Sequence, residues 1–199
     1  MINGIITGQD QYTPLQFSRS RKFSDITVSA DGMVATIPST GTYKAILGNV
    51  GKSTGRHQFE IVCTTIGGEF KAGIAAHEVG GAYNWSLGEG AGALQSAGHY
   101  RSGAIYWHLA ASNSFESSMG VLSATDVIGV TLDLTDPALP SIGFYLNGSL
   151  KKTLIAGTST AWYPAFSAGY NTIVADAVAT IRGTGLAHPV SGFTEWNAS

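Results

Sequence analysis

Gly51-Lys52-Ser53 is the first stretch of the chain whose residue types could do chemistry. A glycine, a lysine and a hydroxyl in that order close the phosphate-binding pattern G-x-x-x-x-G-K-[ST]. The pattern needs a further glycine five residues before the glycine of the pair, and Ile46 stands there. The loop must also open a helix, whose first N–H groups and positive dipole end hold the phosphate. Here the chain continues through Phe59, Ile61 and Cys63 alternating with Gln58, Glu60, Val62 and Thr64, which is the period of a strand with one mainly polar face. The triplet therefore reads as a glycine-rich turn feeding a strand, with Lys52 expected in solvent. No G-x-S-x-G nucleophile elbow occurs. Asp133 and Asp136 have the types of a carboxylate pair, although Asp136-Pro137 reads as the start of a turn. His57, His77, His99, His108 and His188 show no metal-ligand spacing. A single cysteine, Cys63, excludes an internal disulfide and a cysteine metal cluster, and it falls on the apolar face of its strand as a buried thiol. No enzyme activity, metal or cofactor is expected.

The elements that would position these residues are short strands between turns. "SDITVSADGMVATI" (24–37) reads as a hairpin about Asp31-Gly32, and "SIGFYLNGSLKKTLI" (141–155) as a second about Asn147-Gly148, the pair that best tolerates positive φ. "TYKAILG", "HQFEIVCTT", "FKAGIAAHEV", "AIYWHLA", "WYPAFSAGY" and "TIVADAVATIRG" supply further strands. "DVIGVTLDL" is apolar almost throughout, as a central strand covered on both faces would be. A glycine-rich loop lies between Gly80 and Gly98. No helix of useful length and no internal repeat is visible, so the expected fold is all-β, a single antiparallel β-sandwich. At 199 residues the chain fits one domain with a real core. Charged residues make up 12% and the formal net charge is −2, which argues against a nucleic-acid-binding surface. The 44% apolar content argues against disorder, and no apolar run reaches the roughly 20 residues of a membrane span. The first residues show no secretion signal. Few charges among many small residues is also a composition met in proteins packed into large assemblies.

Four stretches in order, "GKSTGRHQFEIV", "GIAAHE", "TDVIGVTLDLTDPALPSIGFYLNGSL" and "WYPAFSAG", together resemble the SPRY domain. The match runs through Asp126, Ile128, Gly129, Val130, Asp133, Phe144, Tyr145, Asn147 and Gly148, then Tyr163 and Pro164, and covers roughly residues 17 to 197. Arg56, His57 and Gln58 depart from the pattern at the early strand, and "NTIVADAVATIRG" departs near the end. The resemblance implies a concanavalin-like, jelly-roll type sandwich over 17–199 preceded by an N-terminal arm over 1–16, with Asp133 as a structural turn residue. The first hairpin and the ending "HPVSGFTEWN" are most similar to SPRY domains of bacteriophage and prophage proteins.

The resemblance implies binding through loops and not catalysis. Its candidate contact residues are Tyr83, Asn84, Trp85, His99, Tyr100, Tyr106, Trp107, Trp162 and Tyr163, since aromatics with a polar handle supply much of the energy of such sites. Tyr106 and Trp107 are adjacent on a strand, so one of them must face the core. Trp162 and Tyr163 can equally be core or rim packing, and Tyr83 and Trp85 can be contact surface or loop anchors. The phage-like features point to a virion structural protein: a capsid decoration, tail or short-fibre component. Its partners would be other virion proteins or copies of itself, docked through the arm, with host surface glycan or protein as further contacts, and with neither nucleic acid nor membrane. A free-standing module binding a peptide loop and a carbohydrate-binding lectin-like domain are the alternatives.

Overall fold

The computed structural model describes residues 13–76, 83–89, 95–109, 112–117, 119–159, 161–169 and 175–197. Among these residues there are strands and turns and no helix. The chain runs through β1 (Phe17–Lys22), β2 (Thr27–Val28), β3 (Val34–Ile37), β4 (Lys44–Gly48), β5 (Arg56–Thr65), β6 (Lys71–Ala76), β7 (Ser96–Tyr100) and β8 (Ile105–Leu109). It continues through β9 (Ser112–Glu116), β10 (Val127–Asp133), β11 (Ser141–Leu146), β12 (Ser149–Ile155), β13 (Trp162–Ala168), β14 (Ala177–Arg182) and β15 (Thr194–Glu195). One sheet has the order β1-β4-β13-β6-β7-β8-β9, and the second β12-β11-β10-β5-β14-β3-β2. All pairings are antiparallel except the short one in which β15 lies parallel to the start of β5. This is the antiparallel sandwich that the alternation of the sequence calls for.

Both expected hairpins form. Gly32 takes φ +76° in the first turn, and Asn147 and Gly148 take +48° and +79° in the second, the doubly positive pair that matches the twist of the flanking strands. β10 is central, between β5 and β11, and Ile128 to Leu132 are buried as the uniformly apolar run requires. Between the sheets Phe17, Ile46, Phe59, Phe70, Phe144, Phe166, Trp162 and Trp196 form the heart of the core. Cys63 joins them, and burial pushes its thiol up to about 12, so it is inert at neutral pH.

One expectation about the approach to β5 is corrected. Lys52 does not stand in solvent: its ammonium donates to the carbonyl of Asn197 at 3.1 Å, and its backbone forms a two-bond bridge with Trp162. Gly51 serves close approach, since a Cβ there would meet the Tyr163 ring at 2.5 Å. On the polar face of β5 Gln58 and Glu60 are buried, while Thr64 is exposed. The segment after β14 crosses this face as a strap, in which Glu60 accepts the backbone N–H groups of Ala187 (2.8 Å) and His188 (2.7 Å). Gln58 accepts from Val190 N–H and donates to His188 C=O. The strap ends in Trp196, fully buried against Phe59 with its indole N–H donated to Val50 C=O.

The expected arm over 1–16 lies outside the described residues up to position 12. Leu15 is buried, Gln16 N–H donates to the Asn49 side chain, and the Asn49 amide donates to Pro14 C=O, so the chain is already fastened to the sandwich from Pro14 onward.

Candidate functional site

The outer face of the first sheet carries most of the named aromatic residues. Side chains alternate along each strand, so on β13 Trp162 and Phe166 enter the core while Tyr163, Ala165 and Ser167 face outward. On β8 Ile105 and Leu109 enter the core with Trp107 packed beside them, and Tyr106 faces outward. The outward residues of the middle strands are small (Ala45, Ala75, Ala165, Gly73, Gly98), which leaves a trough.

Residues 83–89 lie in that trough. Trp85 and Leu87 bury their side chains on Ala45, Leu47, Ala75 and Ala165, with Tyr83 and Tyr163 packed at the margin. Polar bonds fix the backbone: Ala45 N–H donates to Tyr83 C=O, Leu87 N–H to Ser167 Oγ, and Gly88 N–H to Ser96 Oγ. Gly88, at φ +76°, presses onto the Tyr106 backbone, where a Cβ would stand 2.3 Å from the carbonyl carbon. The segment is a fitted cover, bonded at several points along its length.

At its end the cover meets a buried cation. Lys71 on β6 is fully buried, donates to Ser86 Oγ at 2.8 Å and pairs with the Glu89 carboxylate. Three tyrosine rings surround its ammonium, with centroids at 4.5 Å (Tyr106), 5.3 Å (Tyr100) and 5.8 Å (Tyr43). Tyr43 in turn donates its hydroxyl to Glu69 at 2.8 Å. Burial presses the Lys71 ammonium below the usual lysine value, against the pull of Glu89 and Glu69. Tyr106 is raised, first by burial and then by its electrostatic interactions with Glu89, Tyr100 and Glu69.

Beyond the cage the aromatic row reaches solvent. Tyr100 meets Tyr106 edge-on at 5.6 Å, and Tyr106 stacks on Phe115 of β9 at 5.2 Å and 18°. Phe115 is 61% exposed. Among the described residues β9 ends its sheet, and Glu116, on the opposite face of β9 from Phe115, pairs with Lys152 of β12 across the edge of the sandwich.

Of the nine residues named from sequence, Tyr100 and Tyr106 come together as this strip, and Tyr83, Asn84 and Tyr163 lie on the same sheet face at the far end of the cover. Asn84 is exposed there, and the Arg21 guanidinium stacks 4.5 Å above the Tyr163 ring. Trp85, His99 and Trp162 are corrected to scaffold: they are 6%, 0% and 0% exposed, and a partner does not reach them. Trp107 packs inward, with Lys152 over its ring. Asp133 is a turn residue that accepts from Thr135 and pairs with Arg56, and Asp136 caps Ala138 N–H, so the two make no joint site. Among the described residues no group of histidine, cysteine or acidic side chains is arranged to hold a metal ion.

Tyr43, Glu69, Lys71, Glu89 and Phe115 are additions that the sequence reading missed. Lys71 opens a strand whose other residues are apolar, and the alternation of "KAGIAA" was the available signal for its outward position. Phe115 sits in "SNSFE", which has no apolar alternation to mark it as a strand.

No protein-family model and no curated protein matches the chain. Among solved structures it is similar in fold to the SPRY domain of human HERC1, at 16% identity and a TM-score of 0.61 over 85% of this chain and 99% of that one. It is also similar to a human SPRY domain (16% identity, TM-score 0.53, 79% and 94% covered). A third is the PSpry domain of TRIM65 (12% identity, TM-score 0.59, 85% and 92% covered). The sandwich is thus the SPRY, concanavalin-like fold.

Proposed function

We propose that this chain is a protein-recognition module and not an enzyme, and that its contact surface is the outer strip Tyr100–Tyr106–Phe115. The observation that carries the reading is the exposed ring of Phe115, stacked on Tyr106 beside the cage around Lys71. An exposed aromatic on a rigid base offers contact area with little entropy left to lose on binding. Recognition through a preformed surface is also what the SPRY resemblance implies. The carboxylates suggested for chemistry, Asp133 and Asp136, are committed to turns, which supports binding over catalysis.

The test is a selection of displayed peptides on the immobilised protein, followed by Phe115→Ala and Tyr100→Ala variants. Binders that lose affinity for both variants, and keep it for Leu139→Ala on the other sheet's β10–β11 loop, are the expected result. Binders indifferent to Phe115 and Tyr100 would place recognition elsewhere.

A role in a bacteriophage particle is the finer form of the same reading. Its support is the sequence resemblance of the first hairpin and of the ending to phage proteins. In that setting the strip meets a neighbouring subunit or the host surface, and the protein co-sediments with purified particles. A sugar-binding role draws on the same exposed ring, and a glycan array with Phe115→Ala as control separates it from the peptide reading.

A further inference from the structure

The far end of the cover holds a cation in a different setting from Lys71. Arg21, near the end of β1, lays its guanidinium 4.5 Å above the Tyr163 ring and donates from Nη1 to Asn49 C=O at 3.2 Å. Among the described residues that is the guanidinium's one hydrogen bond, and no carboxylate pairs with it. A guanidinium carries five N–H donors in a planar fork, so most of the fork is left for a partner.

The ring beneath it is held in place. Tyr163 stands on β13 and packs against the trough cluster, so close to Gly51 that a Cβ there would lie 2.5 Å from its ring. Tyr83, at the start of the cover, packs at the same margin and interacts electrostatically with both Arg21 and Tyr163. A guanidinium stacked on a fixed ring has little freedom left to lose when something binds.

The charge at this corner is unbalanced. Lys71 at the cage end is met by Glu89, and Lys44 on β4 by Asp25. Tyr43 and Tyr106 at the cage end feel Glu69 and Glu89, whereas Tyr83 feels Arg21 and Tyr163. Lys22, next to Arg21, donates to the carbonyls of Phe23 and Ser24. Arg21 and Lys22 therefore stand at this edge of the sheet with no acidic partner among the described residues.

We propose that the corner formed by Arg21, Tyr163 and Tyr83 is a contact point of its own, which takes a carboxylate side chain from an acidic segment of a protein partner. Fork and carboxylate share the planar two-bond geometry that makes such pairs strong. The corner stands on β1 and β13, and the Phe115 strip on β7, β8 and β9 toward the other end of the sheet, so the inference does not depend on the strip.

The experiment titrates isotope-labelled protein with three peptides: Ac-Gly-Ser-Asp-Ser-Gly-NH2, the same peptide with Asn for Asp, and the Asn peptide with a free C-terminal carboxylate. Chemical shifts of the Arg21 Nε–H and of the Tyr83 and Tyr163 amides report binding. The Asp peptide is expected to bind about tenfold or more tightly than the blocked Asn peptide, the size of one charge-assisted contact. That advantage should shrink as salt is raised. Arg21→Lys keeps the charge and loses the fork, and should cut the Asp preference; Arg21→Ala should remove it. The comparison of Asp with Asn on the unaltered protein holds however the variants fold. Asp and Asn peptides that bind alike, an Asp preference that survives Arg21→Ala, or no saturable shift at Arg21 overturns the inference. A free-ended Asn peptide that outbinds the Asp peptide overturns its assignment to a side chain. None of these results touches the reading of the strip, which stands or falls on Phe115.

Discussion

His99 shows how one side chain can fix a property of the whole chain. It is fully buried, and its Nε2 lies 3.1 Å from Gly120 C=O, which makes Nε2 the protonated nitrogen of a neutral ring. Nδ1 is buried and has no hydrogen-bond partner among the described residues, so protonation there would bury a charge. Burial lowers the imidazole to about 4; Asp126 and the Gly120 carbonyl oppose the shift, and Lys151 adds to it. The unfolded chain takes up this proton near 6.5 and the folded chain only near 4, so stability present above 6.5 is lost as pH falls through that window. The loss amounts to about 3 kcal/mol for a shift of this size. Urea unfolding at pH 7 and pH 4.5 should show a smaller pH dependence for His99→Gln than for the parent. Equal pH dependence would assign the effect to other groups. At the same scale, Trp85→Ala should cost roughly 3–5 kcal/mol of stability because it empties the trough. Phe115→Ala, on an exposed ring, should change stability by no more than about 0.5 kcal/mol. Thermal unfolding of the two variants separates anchor from contact.

At the scale of elements, the strap from Gly183 to Asn197 is the part that alternation alone does not reveal. Gln58 and Glu60 mark a polar face of β5, but a strand pattern reports side-chain period and not what later crosses the face. Their carboxylate and amide are consumed by backbone groups of Ala187, His188 and Val190, about 130 positions along the chain. Glu60→Leu should remove the acceptor of two partly buried strap N–H bonds, at a cost of about 1–3 kcal/mol in all. Amide exchange at Ala187 and His188 should then speed up ahead of exchange in β10. Unchanged exchange at those two positions would mean that the strap is held by Trp196 alone. The sheets, by contrast, were legible. Asn147-Gly148, Asp31-Gly32 and the apolar run of β10 each carry a local rule that the fold obeys. The short strand β9 was not legible, because "SNSFE" owes its place to pairing with β8 and has no periodicity of its own.

For the whole molecule, the two sheets close over one continuous core, and function is left to what lies outside it. Sequence reading found the aromatic types of the site but could not sort outward from inward residues, since that depends on where each strand begins. Tyr106 and Trp107 differ by one position and end on opposite sides of the sheet. The same ambiguity put His99 and Trp162 among the candidates. The cage explains why a lysine is fully buried in a chain with few charges. Lys71 ties β6 to the cover through Ser86 and Glu89 and holds Tyr106 as the base on which Phe115 rests.

The central claim, that the strip around Phe115 is the recognition surface, is tested most directly by mapping a selected peptide with amide chemical shifts. The largest changes are expected at Tyr100, Tyr106, Ser114, Phe115 and Glu116, with small ones at the β10–β11 loop and along the strap. Changes centred on those latter regions, with Ser114 to Glu116 unmoved, would contradict it.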